Sequence, residues 1–105
     1  MAGEFKTLAG TLVDIEALPW NYALYLPSNQ DWTLETLCAV LDPDDYGDDE
    51  EGPEFAVQNH LQYALGVQQV QDVVRFALAK NPQAPVADLF SAFLYYYDHD
   101  AFERP

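Results

Sequence analysis

Apolar side chains along the chain recur with two periods, and the switches between them divide it into elements. Phe5, Leu8, Leu12 and Ile15 follow steps of three and four, which predicts a helix over residues 5–17, stopped by Pro19. Gly10 weakens that helix by about 1 kcal/mol relative to Ala, so it depends on packing against the rest of the domain. Residues 22–26 and 36–41 are aliphatic and aromatic runs, the first leaving through Pro27-Ser28-Asn29. They predict two strands that pair antiparallel across a loop holding Asp31 and Trp32. Residues 42–54 carry no period able to bury a face and read as a loop. Pro53 begins a helical turn over 55–59, and residues 61–65 predict a third strand ended by Gly66.

The helical period then returns. Val67, Val70, Val73, Val74, Ala77 and Leu78 share one stripe, with Lys80 complementing the helix dipole and Asn81-Pro82 as the stop. Pro85 suits the first turn of a last helix, in which Val86, Leu89, Phe90, Phe93, Leu94 and Tyr97 line one face to about Asp98. The order helix, strand, strand, loop, strand, helix, helix is too antiparallel in its first half for a doubly wound sheet. It predicts an α+β fold, a single domain over residues 1–105 in which about three antiparallel strands are packed by about three helices.

Charge changes the picture more than length does. The 105 residues carry 18 acidic side chains against 4 Lys and Arg, a formal net charge of -14, yet half are apolar and 14% aromatic. A disordered acidic tail has no such apolar content, so the charge belongs to a folding domain. Such a surface repels phosphate backbones and anionic lipid headgroups, and direct binding to nucleic acid or membrane is not expected. No apolar run approaches the roughly 20 residues of a membrane span, and residues 1–6 are not signal-like, which leaves a cytoplasmic location as the expectation. Cys38, the one cysteine, sits in Leu37-Cys38-Ala39-Val40-Leu41 and reads as a buried thiol.

Eight of the 18 carboxylates fall within residues 42–54, far beyond dispersion for solubility. A calcium loop starting at Asp42 would use Asp44 and place Gly47 at the sixth position, but Tyr46 takes the fifth and Pro53 stands where a bidentate Glu is needed. A solvated loop is the plain alternative. The sharper reading is a docking surface for a basic protein, because a focused field raises association rates by about 10- to 1,000-fold. It assigns partner contacts to Asp42, Asp44, Asp45, Tyr46, Asp48, Asp49, Glu50, Glu51 and Glu54. Tyr96, Asp98 and Asp100 join them as an aromatic and acidic patch, since Tyr95, Tyr96 and Tyr97 cannot all face the core. Trp20 and Trp32 are expected in or over the core, with acceptors for their indole N–H groups.

His60 and His99 are the only histidines, and no motif sets a nucleophile beside either. Asp98-His99-Asp100 reads as polar chemistry at a helix end. With no phosphate-binding, dinucleotide, zinc or nucleophile-elbow motif, neither enzyme activity nor a cofactor is expected.

The stretches Leu18-Pro19-Trp20, Cys38-Ala39-Val40-Leu41-Asp42-Pro43-Asp44-Asp45 and Phe93-Leu94-Tyr95-Tyr96-Tyr97-Asp98, with Asp100-Ala101-Phe102, give the chain the look of a short acidic bacterial family without assigned chemistry. In size, charge and lack of catalytic equipment it also resembles immunity proteins of contact-dependent growth inhibition and related polymorphic toxin systems. That resemblance implies a partner that is a basic toxin domain, above all a nuclease, blocked at its active site or substrate surface. A nucleic-acid mimic that inhibits a DNA-binding enzyme would use the same charge on a different target, and a calcium-dependent interaction module is the third alternative.

Overall fold

A computed structural model of the chain describes residues 5–28, 30–44 and 53–99. Along it run β1 (Lys6–Thr7), α1 (Leu8–Val13), a 3-10 turn (Ile15–Ala17), β2 (Ala23–Pro27), β3 (Leu37–Leu41), α2 (Glu54–Gln58), β4 (Leu61–Gly66), α3 (Val67–Lys80) and α4 (Val86–His99). The strands form one antiparallel sheet in the order β1-β3-β2-β4, and the fold is α+β as the element order predicts.

Strand alternation gives the sheet two covered faces. Leu24 and Leu26 of β2 and Cys38 of β3 point into the larger core with Leu8, Leu12, Ile15, Val67, Val70, Val74, Leu89 and Phe93, which are supplied by α1, the 3-10 turn, α3 and α4. Ala23, Tyr25, Ala39 and Leu41, the intervening residues, point the other way and form a smaller cluster under Ala56 of α2, with Phe55 and Leu61 at its margin. The sheet therefore separates a three-helix side from a side covered by α2.

β4 departs from simple alternation. Leu24 faces Leu65 across the pair, whereas the next residue, Tyr25, faces Tyr63, so Ala64 is an extra residue and a bulge. Ala64 and Leu65 both enter the larger core as a result, and the last part of the strand is buried while Gln62 and Tyr63 are exposed.

The expected first helix is corrected in two places. Lys6 and Thr7 pair with Cys38 and Leu37 as a fourth strand, because hydrogen bonds to the edge of β3 are available there before any helical turn can close. Thr7 then caps α1, its Oγ1 accepting the Gly10 N–H at 3.1 Å, and the helix stops at Val13 and continues as the 3-10 turn. Leu8, Leu12 and Ile15 keep their shared buried face, but Phe5 lies outside the helix, with its ring 5.1 Å from that of Phe55 beside α2. Trp20 also differs from expectation: it is 66% exposed, carried by the turn in which Tyr22 N–H bonds the Pro19 carbonyl. Trp32 lies over the core, its indole N–H donating to the Pro27 carbonyl at 2.8 Å and its ring 4.7 Å from Tyr97 and 6.2 Å from Phe93.

One buried polar side chain ties α3 to the 3-10 turn. Gln71 Nε2 donates to the carbonyls of Ile15 at 3.0 Å and Leu18 at 3.4 Å, while on the surface Arg75 holds Glu16 through two hydrogen bonds. Replacing Gln71 by Leu strips both carbonyls of that donor inside the protein. The expected cost is about 1–3 kcal/mol, read as a lower midpoint in urea unfolding with an unchanged slope.

Candidate functional site

Of the acidic segment the structure describes Asp42, Pro43 and Asp44, directly after buried Leu41, and then Pro53 and Glu54, where α2 begins. Asp42 Oδ1 accepts the Asp44 N–H at 3.0 Å, which turns the chain as it exits β3. At the far end buried Pro53 precedes Glu54, whose exposed carboxylate accepts a hydrogen bond from Gln58 Nε2 at 3.3 Å. Leu41 and Ala56 belong to the same small cluster, so both ends of the segment are anchored on the α2 side of the sheet. Among the described residues neither Asp42, Asp44 nor Glu54 takes part in an ion pair; the two ion pairs present both use Arg75. Asp45, Tyr46, Asp48, Asp49, Glu50, Glu51 and Asp100 lie outside the described residues.

Tyr96 and Asp98 are placed elsewhere. Both belong to α4, on the three-helix side, where Tyr96 packs against the larger core and Asp98 is exposed in the last turn. The sheet stands between them and the ends of the acidic segment. Of the three consecutive tyrosines, Tyr97 is the exposed one, at 37%, while Tyr95 stacks on His99 at 4.1 Å. His99 Nδ1 lies 3.0 Å from the Tyr95 carbonyl, so this histidine serves the helix terminus.

Other aromatic residues share the face of Asp44. An open cavity of about 590 Å³ has Tyr25, Tyr63, Val57, His60, Asp44 and Pro53 in its lining. Tyr25 and Tyr63 meet edge to face, ring centroids 5.7 Å apart, and Tyr63 is 51% exposed. His60 reaches this place through a positive φ of 57° that turns the chain from α2 into β4, and its carbonyl accepts both the Ser28 N–H at 3.3 Å and the Ser28 hydroxyl at 3.2 Å. The sequence pattern omits Tyr25, Tyr63 and His60 from the site. Alternation in β2 and in the first half of β4 puts both tyrosines on the α2 side, and that parity was the available signal.

Residues 5–104 match the family described as Domain of unknown function (DUF7716). The chain belongs to this family. No curated protein and no solved structure matches the chain. The matched stretch takes in every described strand and helix, so the cavity and both anchors of the acidic segment lie within the DUF7716 domain.

Among the described residues buried polar side chains are few: Thr11, Thr36 and Gln71. Cys38 lies in the larger core with its Sγ 3.4 Å from Thr11 Oγ1, and burial pushes its thiol up, against smaller downward effects of the Thr11 hydrogen bond and the Lys6 charge. Its folded value therefore exceeds its unfolded one. The thiol contributes stability that is present below the unfolded value and is lost as the pH climbs toward the folded value. A disulfide reagent such as DTNB is expected to label Cys38 only as fast as the domain opens, with rapid labelling in denaturant. Fast labelling of the native protein would contradict this burial. Among the described residues no group of three or more His, Cys, Asp or Glu side chains is placed to hold a metal ion, and no helix is long and apolar enough to cross a membrane.

Proposed function

We propose that this DUF7716 domain is a protein inhibitor of the immunity type, which captures a basic toxin domain, in particular a nuclease, and occludes its working surface. The observation that carries the reading is the concentration of eight carboxylates within residues 42–54 of a chain with net charge -14, on a segment whose two ends are anchored to one face of a sheet. Anchoring matters because carboxylates held on a fixed scaffold, as Asp42, Asp44 and Glu54 are, sum into a directional field, whereas the same charges on a free tail average over orientations. Short-range attachment would come from exposed Tyr63, backed edge to face by buried Tyr25, and from half-buried Phe55, since aromatic anchors in a desolvated centre dominate the lifetime of a complex. Rim carboxylates act mainly on the approach. The reading gives the domain no catalytic step.

The test is affinity capture from lysate of the native host at low salt, elution with rising salt, and assay of the eluate for nuclease activity in the presence and absence of the domain. A basic protein that elutes with salt and is inhibited on re-addition supports the reading. A neutral or acidic captured partner, or a nuclease that the domain does not inhibit, overturns it.

A further inference from the structure

The two edges of the sheet differ in what covers them. β1 pairs with Leu37 and Cys38 of β3, and the rest of β3 is mostly buried. β4 has β2 on one side and, among the described residues, no strand on the other. In an antiparallel strand with one neighbour, half of the N–H and C=O groups point away from the sheet and can template a further strand. Exposed edges are commonly guarded by Lys, by Pro or by inward charge. The sequence of β4, Leu-Gln-Tyr-Ala-Leu-Gly, has none of these; the bulge at Ala64 guards only its second half, and Gln62 and Tyr63 stay exposed.

We infer that the first half of β4 is a docking edge that takes an extended segment of a basic protein partner as a fifth strand. The inference rests on the basic-partner reading above and says where that partner seats. The chemistry on either side of the edge specifies the segment. Side chains of an added strand alternate between faces, so every second one would lie on the α2 side, beside Tyr63 and the cavity that Tyr63 and Asp44 help to line. There a Lys or Arg meets a carboxylate and a tyrosine ring, both favourable to a cation. The intervening side chains would lie on the other face, where Gln62 Nε2 is 3.5 Å from the Tyr97 hydroxyl and Tyr97 packs on Trp32, a surface suited to apolar groups. The expected segment alternates basic with apolar residues. Main-chain hydrogen bonds supply attachment, and the alternate positions supply selectivity. A second copy of this chain is the poorer occupant, because pairing two edges would bring together two molecules of net charge -14.

The test uses the full chain and two synthetic peptides of equal charge: one alternating Lys and Val, the other with its two central lysines replaced by proline and two lysines added at its ends, because a segment antiparallel to β4 bonds the outward groups of Leu61 and Tyr63 through the residues whose side chains lie on the α2 side. Sedimentation of the protein alone is followed by amide exchange and titration with each peptide. Expected are a monomer, about tenfold slower exchange at outward-facing amides of residues 61–66 with the alternating peptide, and binding about thirtyfold weaker for the proline peptide through the loss of two hydrogen bonds. Asp44→Asn is expected to weaken the alternating peptide about fivefold. If both peptides bind equally and leave residues 61–66 unprotected, the docking edge is wrong while attraction to basic chains stands. Failure of both to bind overturns the two readings together. A dimer whose 61–66 amides are already protected assigns the edge to a second copy and overturns the inference.

Discussion

Replacing Phe93 by Ala is expected to destabilise the domain by about 3–5 kcal/mol, the range for removing a fully buried phenylalanine. Phe93 is 0% exposed and stands where α4 meets the sheet-facing core, with Trp32 on one side of its ring. The cavity left behind borders three helices, which cannot all close on it without losing their own contacts. Domains of this size hold about 5–15 kcal/mol in total, so the variant should be marginal at best. Thermal unfolding should drop by about 12–40 °C, at about 4–8 °C per kcal/mol. A change of a few degrees would mean that Phe93 is not central to the packing described above.

Neutralising the acidic segment should leave stability nearly untouched and act on rate. With Asp44, Asp45, Asp48, Asp49, Glu50 and Glu51 replaced by Asn or Gln, association with the captured basic partner is expected to slow by about 10- to 1,000-fold at low salt, by stopped flow. The difference should shrink as salt rises, because the screening length falls to about 10 Å at 0.1 M. Dissociation should change far less, since the aromatic rings of the α2 side remain. Unchanged association at low salt would remove the capture role from the segment, whatever the partner proves to be.

Several elements could be read directly from residue spacing. The valine stripe from Val67 and the stop at Asn81-Pro82 match α3 (Val67–Lys80), and Pro85 with its apolar stripe matches α4 (Val86–His99) to within a residue or so. Long amphipathic helices declare themselves because each turn repeats the same information. β1 could not be seen this way: two residues have no period, and they form a strand only because β3 lies alongside. Trp20 was misplaced for a related reason, since apolar neighbours in sequence do not say whether the turn that carries a ring faces the core.

The candidate site shows the same limit at larger scale. Sequence brought out the acidic segment, which is local, and grouped Tyr96, Asp98 and Asp100 with it as a nearby patch. The structure places Tyr96 and Asp98 beyond the sheet and sets Tyr25, Tyr63 and His60 beside Asp44 instead. Which face a residue occupies depends on strand parity and on where a bulge resets it, and the shift at Ala64 is not marked by any glycine or proline.

That bulge has a consequence for how such domains can diverge. It splits one short strand into a closing half committed to the interior and an opening half that the interior scarcely constrains, so positions such as Gln62 and Tyr63 are free to drift while Ala64 and Leu65 are held. In this chain the exposed half of the strand can be substituted without reopening the core that its other half closes.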